Sequence, residues 1–154
     1  MTKAVKESRF DVQKWKSRSV DETLRWGTSI ARNLKPGTCL ALVGPLGSGK
    51  TVFVKGIGRG LGIADRSEIR SPSFVLFHRY TGPVSLHHFD FYRLDAESDL
   101  ERIGIYEFLF NSNAVSVIEW ADRIPEVLQR AHLRIDLSIT GETSRTIRAQ
   151  SNER

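Results

Sequence analysis

Residues 44–51 read Gly-Pro-Leu-Gly-Ser-Gly-Lys-Thr, and this stretch decides the fold. The short apolar run Thr38–Val43 precedes it and is consistent with a buried strand, and the segment Lys50–Leu61 predicts a helix. The stretch matches the pattern G-x-x-x-x-G-K-[ST] in full, between a strand and a helix, which is the context that this motif requires. The sequence therefore predicts a loop that binds the phosphates of a nucleotide.

The residue types in this loop suit a bound polyphosphate. Gly44, Gly47 and Gly49 let backbone N–H groups point inward without a Cβ in the way. The helix start adds unpaired N–H groups and a positive dipole end. Lys50 supplies a positive charge at the β- and γ-phosphates, and the Thr51 hydroxyl is placed to ligate Mg²⁺. A glycine-rich turn without a ligand is the alternative, which the full pattern with both flanks disfavours.

Composition and charge bound the remaining possibilities. The chain has 154 residues with 40% hydrophobic and 27% charged residues, which predicts one globular domain. Its single cysteine excludes an intrachain disulfide and a cysteine-rich metal cluster. No apolar run suits a membrane span or a secretory signal, so we expect no membrane association and a cytoplasmic protein.

The net charge of +5 is concentrated at the N-terminus, where residues 1–20 hold six basic and two acidic side chains. We expect residues 1–13 to be a basic, mobile tail that is dispensable for nucleotide binding, and residues 14–150 to form the single domain. The tail is either a solvated extension or a segment that steers the protein toward RNA or an acidic partner.

The remaining pattern predicts an α/β fold. Helices alternate with strands, and turn signals at Thr81-Gly82-Pro83 and Gly141-Glu142 each indicate a hairpin. We expect a sandwich of the P-loop NTPase type with a mixed, partly antiparallel central sheet. The predicted helices begin at Ser19 or Asp21, Lys50, Asp95 and Ile105, and we expect a loop or short helix over Trp120–Arg130. The further predicted strands are Phe74–Tyr80, Val84–Phe91, Ala114–Ile118, Leu133–Ile139 and Thr143–Ala149. We expect Ile69–Phe74 to be extended.

Two carboxylates end predicted strands. Asp90 follows residues 84–89, which read Val-Ser-Leu-His-His-Phe, and Glu119 follows Ala114–Ile118. Ligands of open α/β sheets gather at the carboxyl ends of strands, so both acids are candidates for a site beside the loop. The alternative is that each carboxylate only caps the turn that follows it.

The motifs together resemble those of the bacterial TsaE family, small P-loop ATPases of tRNA threonylcarbamoyladenosine biosynthesis. The resemblance covers about residues 19–140. The combination of His-Phe-Asp-Phe-Tyr-Arg-Leu with a later Glu-Trp is specific to that family, whereas the phosphate loop is generic. The matching stretches are residues 44–51, Ser71–Phe74, His88–Leu94, Ile103–Ile105 and Ile118–Trp120.

The resemblance implies a function and a site. The family binds ATP and Mg²⁺, hydrolyses ATP slowly, and acts with the partner proteins TsaD and TsaB, which modify the adenosine next to the anticodon of tRNAs that read ANN codons. We expect tRNA to be reached through that complex. The expected catalytic residues are Lys50, Asp90 and Glu119. The expected nucleotide-binding residues are Gly44, Leu46, Gly47, Ser48, Gly49, Lys50, Thr51, Ser73 and Trp120. The expected Mg²⁺ ligands are Thr51, Glu119 and Asp90, with Glu119 nearer the ion and Asp90 nearer the attacking water.

Two departures and two rivals complete the interpretation. Pro45 stands where the family commonly has aspartate, and Ser73 stands at a switch position that usually holds threonine. A small-molecule kinase with an arginine-bearing lid is one rival, since Arg123, Arg130 and Arg134 follow Glu119. A nucleotide-gated binding module with incidental hydrolysis is the other. A GTPase is disfavoured because the chain has no N-K-x-D base-reading motif.

Overall fold

The structure is a computed structural model that describes residues 12–63 and 69–152. It has a seven-stranded sheet with helices on both faces. The expected α/β sandwich is therefore confirmed. In chain order the elements are β1 (Gln13–Ser17), α1 (Val20–Ala31), β2 (Cys39–Val43), α2 (Lys50–Gly60), β3 (Phe77–Tyr80), β4 (Ser85–Asp90), α3 (Glu97–Ile103), α4 (Tyr106–Leu109), β5 (Ala114–Glu119), a 3₁₀ turn (Ala121–Arg123), α5 (Pro125–Arg130), β6 (Leu133–Ile139) and β7 (Arg145–Ser151).

The sheet is mixed, as the two hairpin signals predict. Its order is β1-β7-β6-β2-β5-β4-β3. The central strands β6, β2, β5 and β4 are parallel neighbours, whereas β3, β7 and β1 join antiparallel. The parallel strands carry their carboxyl ends to one edge, which is the edge where the loop after β2 lies.

The two faces of the sheet bury separate apolar clusters. Leu40 and Leu42 of β2 pack with α1 and α2, whereas Cys39 and Ala41 of the same strand pack with α3, α4 and α5 on the other face. This alternation follows from the two-residue period of a strand, and because both faces are covered the strand is apolar throughout.

Glycines bring α1 and α2 into direct backbone contact. A Cβ at Gly56 would collide with the carbonyl oxygen of Leu24, and one at Gly27 would collide with the carbonyl oxygen of Phe53. The hydroxyl of Thr28 donates to the Gly56 carbonyl oxygen at 3.1 Å across the same crossing. The close approach fixes where α2 begins, and so where the phosphate loop ends.

The strand β1 was not predicted. Its side chains alternate between exposed Lys14 and Lys16 and inward-facing Trp15 and Ser17, and the lysines mask the strand pattern. Trp15 stacks on Trp26 of α1 with ring centroids 4.8 Å apart. The prediction of a mobile tail concerns residues 1–13; residues 1–11 lie outside the described residues, and Gln13 pairs with Ala149 in the sheet.

The segment before β3 differs from its prediction. The expected strand from Phe74 begins only at Phe77, because residues 73–75 form a turn. The Leu76 N–H donates to the Pro72 carbonyl oxygen at 2.5 Å, and Leu76 has a φ of 76°. The turn brings the serines on either side of Pro72 to the carboxyl edge of the sheet. Within the described ranges, none of the helices has the length and apolar character that a membrane crossing requires.

The helix crossing makes a prediction about stability. Gly56→Ala should lower the free energy of unfolding by about 1–3 kcal/mol, because the added methyl group overpacks a backbone contact. Arg59→Ala on the exposed side of the same helix is the control and should change stability by less than about 0.5 kcal/mol. Urea unfolding followed by tryptophan fluorescence measures both. Equal stability of the Gly56 variant and the wild type would contradict the close packing.

Candidate functional site

The phosphate loop has the backbone that its sequence predicts. It connects β2 to α2, and Gly47 and Gly49 have φ angles of 80° and 100°, in the left-handed region that glycine adopts without strain. A Cβ on Gly44 would lie 2.6 Å from the carbonyl oxygen of Leu137, so this position also requires glycine. The strand, loop and helix context of the motif is therefore confirmed.

A cleft of about 630 Å³ opens above the loop. Leu46, Gly47, Gly49, Lys50 and Thr51 line it, and Leu46 is 81% exposed at its rim. The other candidate residues that line the cleft are Ser73, Asp90, Glu119 and Trp120, together with Val52, Ser71, Tyr92 and Arg93.

Two predicted loop residues lie outside this lining. Gly44 is at the start of the loop, and Ser48 is fully buried beneath it. The Ser48 hydroxyl has no hydrogen-bond partner among the described residues. Both residues therefore belong to the base of the loop and not to the surface of the cleft.

Lys50 lies buried at the centre of the cleft. Its ammonium donates to the carbonyl oxygens of Gly44 at 2.6 Å and Pro45 at 3.0 Å, and it sits 4.1 Å from the centroid of the Trp120 ring. Burial lowers the pKa of Lys50 below its usual value, and the charges of Glu119 and Asp90 oppose that effect. A bound polyphosphate would act in the same direction as these carboxylates and favour the charged amine.

Trp120 is held in an uncommon conformation directly after β5. Its φ is 59° and its ψ is 37°, in the left-handed region that large side chains rarely adopt. Its ring packs at 5.0 Å from Tyr92 and under the Lys50 ammonium. The cation–π contact places the aromatic residue of the Glu-Trp pair beside Lys50.

The two carboxylates end neighbouring strands on one face of the sheet. Asp90 of β4 is directly opposite Glu119 of β5, and both are 3% exposed. Both oxygens of Glu119 lie 3.0 Å from the Thr51 hydroxyl. The Nε2 atom of His88 lies 2.6 Å from the Oε2 atom of Glu119. The structure thus brings the helix start and the β5 carboxylate together, as a metal site below the phosphates requires.

Asp90 belongs to a different set of contacts. Its Oδ2 atom accepts a hydrogen bond from the Ser71 hydroxyl at 2.5 Å, and its Oδ1 atom accepts one from the Tyr92 N–H at 2.8 Å. Ser73, the predicted switch residue, lines the cleft, but Ser71 makes the bond to Asp90. In the sequence, Ser71 stands out only as part of the segment Ser71–Ser73, and nothing in the residue types separates the two serines.

The donor set fits a magnesium ion that also binds phosphate. Magnesium takes oxygen ligands and usually keeps several waters beside one or two protein groups. Thr51 and Glu119 supply such oxygens at the helix N-terminus, and Asp90 lies at the adjacent strand end. No group of three His, Cys, Asp or Glu residues that could hold a metal alone occurs within residues 12–63 and 69–152. The arrangement therefore suits an ion shared with a ligand.

A second cleft of about 410 Å³ lies beside the loop and shares Gly47, Gly49 and Val52 with the first. Arg145 of β7 spans its edge, where the guanidinium donates to the Gly47 carbonyl oxygen at 2.9 Å and to the Ser144 carbonyl oxygen at 2.8 Å. Sequence analysis did not single out this arginine, because its partner is 98 residues away. The remaining lining residues are Arg18, Ser19, Val20, Thr23, Glu142 and Thr143.

Comparison with known proteins agrees with this geometry. The family model described as "Threonylcarbamoyl adenosine biosynthesis protein TsaE" matches residues 17–147. The chain belongs to the TsaE family. It is 41% identical over 131 residues to the tRNA threonylcarbamoyladenosine biosynthesis protein TsaE of Treponema pallidum, covering 85% of this chain and 95% of that protein. The resemblance inferred from the motifs is confirmed.

A sequence match and a structure match come from Bacillus subtilis. The TsaE protein of that organism is 38% identical over 135 residues, covering 87% of this chain and 82% of its relative. The crystal structure of Bacillus subtilis YdiB superposes with a TM-score of 0.74 at 30% identity, covering 96% of this chain and 90% of that one. The likeness to that fold therefore extends over nearly the whole chain.

The lysine contact predicts a loss of nucleotide affinity. Lys50→Ala removes the one ammonium that lines the main cleft within the described residues, so affinity for ATP should fall at least tenfold, about 1.4 kcal/mol. Lys55→Ala on the same helix, outside both clefts, is the matched control. Titration with a fluorescent ATP analogue measures both. Wild-type affinity in the Lys50 variant would remove the lysine from the site.

The carboxylates predict a separation of binding from turnover. Asp90→Asn and Glu119→Gln keep size and remove charge, so ATP affinity should stay within about tenfold of wild type. Both variants should lose most ATP hydrolysis, because the metal and the attacking water lose their anionic partners. Glu126→Gln, exposed on α5, is the control. Normal phosphate release by either amide variant would show that its carboxylate only caps a strand.

Proposed function

We propose that this TsaE protein is a Mg²⁺-dependent ATPase of tRNA threonylcarbamoyladenosine biosynthesis. The observation that carries the proposal is the juxtaposition of Lys50 and Thr51, at the start of α2, with Glu119 and Asp90 at the ends of β5 and β4. The relatives' names supply the pathway: they are tRNA threonylcarbamoyladenosine biosynthesis proteins. ATP hydrolysis would then serve that modification, and the reaction takes place in the cytoplasm.

The chain's own residues divide the work of hydrolysis. Lys50 and the loop N–H groups bind the β- and γ-phosphates and stabilise charge as the terminal phosphoryl group leaves. Thr51 and Glu119 would hold a magnesium ion, which would offset phosphate charge. Asp90 orients the attacking water, since its carboxylate is fixed by Ser71 and by the Tyr92 N–H at the edge of the cleft.

The second cleft suits the adenosine part of the nucleotide. It adjoins the first at Gly47 and Gly49, so a nucleotide with its phosphates on the loop can extend into it. Val20 and Val52 offer apolar contact to a base, and Thr143 and Glu142 offer hydrogen bonds. Arg145 lines this second cleft and donates to the Gly47 carbonyl oxygen of the loop.

Exposed apolar side chains next to the main cleft suit contact with a protein partner. Phe74 is 85% exposed and Val75 is 61% exposed, and both follow Ser73 on the turn before β3. The Arg93 guanidinium stacks on the Phe74 ring at 4.5 Å. Exposed apolar side chains next to a functional cleft are typical of an interaction surface. We propose TsaD and TsaB as the partners, with tRNA reached through their complex.

The kinase alternative finds less support in the arginines that suggested it. Arg123 lies 5.4 Å from the Tyr92 ring, Arg130 lies 4.2 Å from the Phe110 ring, and Arg134 forms an ion pair with Asp136. None of the three lines either described cleft. These three arginines therefore give no support to an arginine-bearing lid over a phosphoryl acceptor.

The proposal is tested by reconstitution. The protein alone should release phosphate from ATP with Mg²⁺ and no acceptor, and formation of modified tRNA over many turnovers should require it together with TsaD, TsaB and threonylcarbamoyl-AMP. Lys50→Ala should support neither reaction, whereas Lys55→Ala should support both. Phosphoryl transfer to a small molecule without free phosphate release would favour a kinase. A binding module would be favoured if variants that no longer hydrolyse ATP still assemble with the partners in a nucleotide-dependent way and still support normal tRNA modification.

A further inference from the structure

His88 is a fully buried side chain that the roles above do not use. It lies on β4, and its Nε2 atom is 2.6 Å from the Oε2 atom of Glu119. Its other ring nitrogen, Nδ1, has no hydrogen-bond partner within the described residues. We propose that His88 is a positioning residue that fixes the Glu119 carboxylate for the magnesium ion. The inference rests on the proposed function, because it assigns a role toward the same metal.

The sheet register places the imidazole beside the carboxylate. Asp90 is opposite Glu119, and His88, two residues earlier on β4, is opposite Val117. Side chains two apart share a face of a strand, so His88, Asp90 and Glu119 project from the same face, the one that α2 covers. His88 is therefore the diagonal neighbour of Glu119 and supports it from below, on the side away from the loop.

Hydrogen-bond accounting assigns the proton on the ring. An ionised carboxylate only accepts, so the Nε2–H of His88 donates to Glu119. The unpartnered Nδ1 then holds a lone pair, which is cheaper to bury than an unsatisfied N–H. We therefore assign the tautomer with hydrogen on Nε2, which uses the one donor of the ring on Glu119.

The two donors to Glu119 come from different elements. Thr51 approaches from the start of α2 and His88 from β4. A hydroxyl that ligates a metal uses a lone pair and keeps its hydrogen for Glu119, so both donors persist when an ion is bound. Of the two, His88 is the donor that is not itself a metal ligand. Outer contacts that orient a metal ligand typically change metal affinity by about 10–100-fold when they are removed.

The neighbouring histidine serves as an internal comparison. His87 is also buried, but it faces the opposite side of the sheet. Its Nδ1 atom lies 3.0 Å from the carbonyl oxygen of Phe108, and its ring packs at 5.3 Å from that of Phe77. His87 is a core histidine with no contact to the cleft, so its substitution reports the effect of disturbing a buried histidine as such.

The test compares two amides at position 88. The amide nitrogen of glutamine reaches the place of Nε2, whereas that of asparagine reaches only the place of Nδ1. Affinity for a fluorescent ADP analogue is measured without metal and over a range of Mg²⁺ concentrations. We expect His88→Asn to keep the metal-free affinity for the ADP analogue. The Mg²⁺ midpoint, which is the concentration that produces half of the change in this affinity, should rise about tenfold or more. We expect His88→Gln and His87→Asn to stay near wild type.

The possible outcomes separate the inference from the function on which it rests. A wild-type affinity that does not respond to Mg²⁺ would contradict the proposed metal. If the wild type responds to Mg²⁺ and the folded His88→Asn variant responds at the same Mg²⁺ concentration, only the role of His88 is overturned. Thermal unfolding checks that each variant is folded. If His88→Asn does not fold, His88→Leu replaces it, because leucine fills the pocket without a hydrogen-bond donor. A Mg²⁺ midpoint for His88→Leu equal to that of the wild type would then overturn the inference.

Discussion

The rest of the site depends on the burial of the Glu119 carboxylate at the end of β5. A buried charge is costly unless donors and opposite charges surround it. Thr51 and His88 supply donors from two different elements, and the nearby Lys50 ammonium supplies positive charge. The carboxylate thereby ties the start of α2 to the sheet. A divalent cation placed above it would complete the balance of charge, which is why the same arrangement suits both folding and metal binding.

The fold delivers these groups to one place through its backbone. Parallel strands β2, β5 and β4 end at the same edge, and the register sets Asp90 opposite Glu119. The glycine crossing of α1 and α2 seats the start of α2 above that edge. Both helices and strands are rigid elements, so the candidate ligands are held before any ligand arrives. In contrast to these elements, the turn that carries Phe74 and Val75 exposes apolar side chains to solvent next to the cleft.

Local patterns predicted much of this arrangement. The strand, phosphate loop and helix were set by residues close in sequence, and both hairpins followed from their turn residues. Contacts between distant segments could not be predicted in this way. Strand β1 was missed because Lys14 and Lys16 occupy its outward face, and it forms only by pairing with β7. The bond of Ser71 to Asp90 and that of Arg145 to the loop depend on the tertiary fold, so no local signal marks them.

The most direct test of the account is the position of the metal in a crystal structure with Mg²⁺ and a non-hydrolysable ATP analogue. The account predicts an ion about 2.0–2.1 Å from the Thr51 hydroxyl oxygen, bound to Glu119 directly or through one water. His88 should keep its contact with Glu119, and Lys50 should contact the β- and γ-phosphates. An ion bound through Asp90 with Glu119 turned away from it, or phosphates bound outside the loop, would contradict the account.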